Sequence, residues 1–104
     1  MKYTLTEQNN TLIITFQGDL IGGSDSLELM DTINDKINNG VAKAVINMND
    51  VRYMNSSGIG ILITIFTKFK NKNGNAVVSN ASDQIIKLLT ITKLDTVIKL
   101  FSTQ

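Results

Sequence analysis

The 104-residue chain has no cysteine, no histidine, no proline and no tryptophan, and each absence closes off a class of chemistry or structure. Without cysteine there are no disulfides and no thiolate chemistry, which fits a cytoplasmic setting. Without histidine, a serine nucleophile of the usual kind has no imidazole base. A zinc site built on histidine or cysteine is equally excluded. Most hydrolase chemistry goes with them, and no metal or cofactor is expected. Without proline, the turns fall to glycine and asparagine. No uninterrupted apolar run approaches the ~18 residues of a membrane helix, and the N-terminus carries a strand pattern rather than a signal-peptide layout. A formal net charge of +1 gives no general pull toward nucleic acid.

What is present is an ordinary globular mixture, 42% apolar and 18% charged, long enough to bury one core. One domain over residues 1–104 is expected. Asp19, Asp25, Glu28, Asp31 and Asp35 make the first helical region acidic. Lys68, Lys70 and Lys72 crowd the end of the second, where they complement the negative end of a helix dipole.

Lys2 to Glu7 alternates, with Tyr3 and Leu5 on one face, and Thr11 to Gln17 resumes the alternation with Leu12, Ile14 and Phe16 aligned. Gln8-Asn9-Asn10 between them reads as a hairpin turn. Gly18 to Gly23 is then expected to be a loop. Ser24 or Asp25 can cap a first helix, whose apolar stripe is Leu27, Met30, Ile33 and Ile37 and whose C′ residue is Gly40. Ala44 to Met48 is a short apolar strand, covered on both faces, and Asn49 to Asn55 is expected to be a loop.

A second helix, Ile59 to Lys70, has a stripe of Ile59, Leu62, Ile63, Phe66 and Phe69. Ile61 and Ile65 make it apolar on a second side, either deeply packed or reserved for a partner. Asn71 to Gly74 stops it, and Asn75 to Ser79 is a strand. Asn80, with Asp83 three residues on, opens a third helix with Ile85, Leu88, Leu89 and Ile91 inward. Val97 to Phe101 is expected to be an edge strand. The order β-β-α-β-α-β-α-β predicts an α/β fold with a mixed sheet, parallel except for the antiparallel first strand.

The informative stretch is Asn55-Ser56-Ser57-Gly58-Ile59-Gly60, at the start of the second helix. The first amides of a helix lack internal partners and sit at the positive end of its dipole, a place suited to an anion. The simplest role for Asn55 or Ser56 is a helix cap. One cap needs one residue, however, and three side-chain oxygens are offered here. Gly58 and Gly60 each cost about 1 kcal/mol against alanine within a helix, so something is expected to approach the backbone there, or another helix to pack tightly. A P-loop is excluded by the missing lysine and the spacing. A phosphoserine, bringing about −1.5 to −2 charges, would be tolerated by the helix start and would repel an apolar partner.

Asp50-Val51-Arg52-Tyr53-Met54-Asn55-Ser56-Ser57-Gly58-Ile59-Gly60 resembles the signature of the STAS domain, in its bacterial anti-sigma factor antagonist branch. The resemblance extends to Phe16-Gln17-Gly18-Asp19-Leu20 and to the helical region Asn80 to Leu94. It implies a cytoplasmic protein-binding regulator of sigma-factor-dependent transcription that is not itself an enzyme. An anti-sigma factor with a histidine-kinase-like ATPase fold would phosphorylate Ser57, and a PP2C-type phosphatase would reverse this. The resemblance also implies partner contacts at Asp19, Ile21, Gly22, Gly23 and from Tyr53 through Met54, Asn55, Ser56, Ser57 and Gly58 to Ile59. Asn47 and Asn55 stand where the family often has aspartate. The competing reading is an unphosphorylated STAS subunit fixed in a larger assembly, such as a lipid-transport ATPase accessory or a signalling scaffold. A direct nucleotide binder ranks below both, since neither a phosphate loop nor a cluster of base-stacking aromatics is present.

Overall fold

Asn9 and Asn10, at φ of +52° and +64°, make a two-residue turn of the kind whose twist matches a hairpin. It joins β1 (Lys2–Gln8) to β2 (Thr11–Leu20) in antiparallel register, with Tyr3 opposite Phe16 and Leu5 opposite Ile14. The chain continues through α1 (Asp25–Asn38), β3 (Lys43–Met54), α2 (Ser56–Asn71), β4 (Asn75–Ser79), α3 (Asp83–Ile91) and β5 (Lys99–Phe101). The computed structural model describes residues 2–21, 25–91 and 99–101, with the side chains of residues 25, 90, 91 and 99–101 outside that description. Gly22, Gly23, the candidate cap Ser24, Val97 and Ile98 therefore lie outside the described residues, as do the side chains of Asp25 and Ile91.

The five strands run in the spatial order β1-β2-β3-β4-β5, and every pairing after the first is parallel. This is the mixed α/β sheet that the element order predicts. Residues in register stack into layers: Leu12, Ala44 and Ala76 form one, and Ile14, Ile46 and Val78 the next. All six are buried, in one cluster with residues from all three helices. The alternate positions Ile13, Val45 and Val77 are only half-buried. Among the described residues, no helix is long and apolar enough to cross a membrane.

Two segments expected to be loops are strands. β2 runs on through Gly18, at φ +75°, to Leu20, and β3 runs on from Asn49 to Met54 alongside it. The register explains why alternation hides this. Between Thr15/Asn47 and Gln17/Asp50, and again between Gly18/Val51 and Asp19/Tyr53, β3 carries one extra residue. Each bulge turns the next side chain to the other face. Burial in β3 consequently falls on Ala44, Ile46 and Met48, and then on Val51 and Met54.

The helices differ from expectation in phase. In α1, Leu29 and Ile33 are fully buried, Met30 and Ile37 flank them, and Leu27 is 73% exposed. At 3.6 residues per turn, Leu27 lies about 200° around the helix from Leu29. In α2 the buried positions are Gly58, Ile61, Leu62, Ile65, Phe66 and Phe69. Leu62, Phe66 and Phe69 of the expected stripe are buried, the second side through Ile61 and Ile65 is buried with them, and Ile59 and Ile63 are half-buried flanks. Ser82, not Asn80, caps α3, its Oγ accepting from the Ile85 amide at 3.2 Å. Ile85 and Leu89 are buried as expected, with Leu88 packed at the margin.

Both long helices end in the same hydrogen-bonded closure. After α1, Gly40 at φ +104° is followed by a bond from the Val41 amide to Lys36 O at 3.0 Å. After α2, Asn73 at φ +61° takes the left-handed position and the Gly74 amide bonds Phe69 O at 2.7 Å.

The phase of α1 is open to a direct check. Leu29→Ala should cost about 2–5 kcal/mol, as buried leucines do, whereas Leu27→Ala should stay within about 0.5 kcal/mol. Urea unfolding midpoints of the two variants, at unchanged slope, measure this.

Candidate functional site

The site is built where the ends of β2 and β3 meet the start of α2. Leu20 and Met54 are in register at the end of the β2–β3 ladder, and both are buried. The chain leaves β3 at Asn55, whose amide donates to Leu20 O at 3.4 Å. Asn55 then caps α2 from an extended conformation, its Oδ1 accepting from the Gly58 amide at 2.9 Å while its carbonyl accepts from the Ile59 amide at 3.0 Å. The cap is thus the asparagine, and an amide serves as well as a carboxylate.

Gly58 is buried because β2 passes directly over it. A Cβ there would run into the Leu20 carbonyl oxygen and would lie 2.9 Å from Met54 Cγ. Gly60 has open space where its Cβ would be. The two glycines therefore have different reasons for being present. The first admits the sheet's own backbone; nothing among the described residues approaches the second.

With Asn55 as cap, Ser56 and Ser57 are spared that task. Both are exposed in the first turn of α2, and neither hydroxyl has a partner among the described residues. The first turn holds no acidic side chain, while Lys68 and Lys70 sit in the last. Positive potential at the helix start is therefore not offset within that turn. Lys68 does more than complement the dipole, since its Nζ also donates to Asn34 Oδ1 at 3.0 Å.

Around the serines, Tyr53 is 51% exposed and Ile21 45%. Asp19, the register partner of Tyr53, is exposed and pairs with Arg52 Nη2 at 3.4 Å. The structure therefore brings Asp19, Ile21, Tyr53, Ser56 and Ser57 to one end of the sheet. Met54 and Gly58, expected as contacts, are buried, so they shape the site from beneath. Ile59 is half-buried.

Two sets of contacts were not anticipated. Arg52 is the extra residue of the second bulge, and nothing in its sequence context marks it as Asp19's partner. Asn47 accepts from the Asn49 amide at 3.0 Å and from Asn80 Nδ2 at 3.2 Å, so it ties the first bulge to the turn entering α3. Among the described residues, no group of three or more carboxylates could hold a metal ion.

Comparison with known proteins agrees with this arrangement. The STAS domain family pattern matches residues 2–104; the chain belongs to the STAS domain family. It is 35% identical over 51 residues to the anti-sigma-B factor antagonist of Bacillus subtilis (strain 168), a match spanning 49% of this chain and 47% of that protein. The match thus spans about half the relative's length. The fold is similar to that of the Bacillus cell fate determinant SpoIIAA in its phosphorylated form, at a TM-score of 0.78 and 18% identity, covering 99% of this chain and 92% of that one. It is also similar to a segment of the murine solute carrier 26 family member A9 anion transporter, at a TM-score of 0.75 and 12% identity. That likeness covers 95% of this chain and 17% of the transporter.

The contrast between the glycines gives opposite stability changes. Gly58→Ala should destabilise by about 1–3 kcal/mol, because a backbone carbonyl has to move. Gly60→Ala should stabilise by about 1 kcal/mol, the helical gain of alanine over glycine. Both are read from urea unfolding followed by far-ultraviolet circular dichroism.

Proposed function

We propose that this protein is an anti-sigma factor antagonist switched by phosphorylation of Ser57. Its partner is an anti-sigma factor with a histidine-kinase-like ATPase fold. Unmodified, the protein holds that factor and so frees a sigma factor for transcription. The partner, acting as kinase, transfers phosphate to Ser57 and ends the association; a PP2C-type phosphatase restores it. The observation carrying this reading is the exposed Ser57 hydroxyl, without a partner among the described residues, in a helix turn already capped by Asn55.

Electrostatics supply the switch. A phosphate at Ser57 adds about −1.5 to −2 charges beside the helix amides, which tolerate it. A partner seated on the exposed Tyr53 and Ile21 meets that charge across an apolar contact, where an unpaired ion is costly. Gly60 fits the same picture: it leaves the α2 backbone open beside Ser57, and nothing among the described residues fills that opening. Asn47 and Asn55 are compatible with it too, since both amide oxygens accept the hydrogen bonds their positions require.

The likeness to a transporter segment favours a second reading, a STAS unit bound permanently to a larger assembly such as a lipid-transport accessory or a scaffold. In that case Ser57 would not be modified and the exposed end of the sheet would be a fixed contact.

Incubation with the anti-sigma kinase and ATP, followed by mapping of the modified residue, separates the two. One phosphate on Ser57, absent in Ser57→Ala, is expected, and Ser57→Asp should weaken kinase binding by about a hundredfold. Full labelling of Ser57→Ala would remove the site assignment. A constant partner that ignores Ser57→Asp would favour the fixed subunit.

A further inference from the structure

A groove of about 250 Å³ lies between the end of β3 and α3, lined by Tyr53, Met54, Gln84, Ile85, Lys87 and Leu88. Met54 and Ile85 are buried and form its floor, Leu88 is half-buried, and Tyr53 stands exposed at its wall. The volume falls below that of ordinary cofactor and drug pockets, about 300–1,000 Å³, and suits one or two apolar side chains. No buried side-chain polar atom lacks a hydrogen bond among the described residues, so nothing in the groove calls for a polar ligand or a metal.

We infer that this groove is a second part of the docking surface, and that it takes an apolar side chain flanked by a carboxylate from the same anti-sigma partner that covers Ser57. The inference rests on the reading of that site given above. Three observations lead to it. The lining is apolar apart from Gln84 and Lys87, which selects an apolar occupant. Lys87 is the lining's one cation; it is exposed and makes no ion pair among the described residues. Asp83, one turn earlier on α3, does not pair with it either. A carboxylate beside the apolar group therefore finds a free ammonium at the rim. Finally, Tyr53 and Met54 immediately precede the Asn55 cap, so the groove opens within a few residues of Ser57. A partner seated on Tyr53 to cover the serine meets the mouth of the groove.

This extends the docking surface to α3, which the STAS signature stretch does not include. It also gives the interface two kinds of contact. The helix start is sensitive to phosphorylation, whereas the groove contributes affinity that phosphorylation does not touch directly. A second copy of this chain is the rival occupant, since exposed Leu27 beside exposed Glu28 offers the same pair of groups.

The test is isothermal titration of the anti-sigma kinase against wild type, Lys87→Glu and Ser57→Asp. Lys43→Glu, exposed at the opposite end of β3, serves as control. Lys87→Glu should weaken binding by about tenfold and flatten its dependence on salt, because a rim attraction becomes a repulsion. The control should stay within about twofold, and both lysine variants should unfold at the wild-type urea midpoint. If Lys87→Glu binds like wild type while Ser57→Asp does not, the groove assignment is overturned and the Ser57 reading stands. If Lys87→Glu weakens binding and Ser57→Asp has no effect, the groove stands and the phosphorylation switch falls. If sedimentation shows a wild-type dimer that Lys87→Glu dissociates, the occupant is a second copy and the partner assignment is wrong.

Discussion

The arrangement depends on one close approach of backbone to backbone. The carbonyl of Leu20, at the end of β2, lies where a side chain at position 58 would begin, and the same carbonyl accepts from the Asn55 amide. Only glycine lets a strand terminus sit this tightly on the first turn of a helix. Leu20 and Met54 close the β2–β3 ladder beneath it. The direction in which α2 leaves the sheet, and with it the outward presentation of Ser57, follows from that contact together with the Asn55 cap.

The bulges in β3 feed this geometry. A regular strand leaving Met48 would bury every second residue and so would turn Asp50 and Arg52 inward and Val51 outward. The first extra residue turns Val51 inward in place of Asp50, and the second restores the original phase, so that Met54 points into the core as Leu20's neighbour and Tyr53 remains at the surface. Both insertions have their polar consequences met by side chains. Asn47 takes the Asn49 amide of the first bulge, and Arg52 of the second turns to Asp19. The ion pair is exposed and contributes little stability by itself.

How much could be read without coordinates follows from these details. The hairpin, the three helices and the strand at Asn75–Ser79 were legible because their apolar periods are undisturbed. The strand ends were not, since a bulge breaks the two-residue alternation that marks a strand, and the result looks like a loop. Leu27 was misplaced because Leu27, Met30, Ile33 and Ile37 make an acceptable stripe; the choice between it and a stripe through Leu29 is made by the sheet, not by the helix. At the site, the Asn-Ser-Ser-Gly stretch marked the helix start, although the expected span opened at Ile59, three residues beyond Ser56. It could not say which oxygen caps, nor that one glycine is packed and the other open. Those distinctions depend on Leu20, which is distant in sequence.

The division of labour between Asn55 and the serines bears on how such a switch can operate. Had Ser57 carried the cap, esterifying its oxygen would have disturbed the bond that starts α2, and modification would act through the fold. Here the Gly58 amide is bound by Asn55, and Ser57 Oγ has no partner among the described residues to lose. The added charge sits in a turn without a competing carboxylate, where the helix dipole offsets part of it. On the reading proposed above, the chain can therefore pass between its two forms without repacking its core. The free-energy difference then falls on the interface, where an apolar partner surface cannot solvate the phosphate.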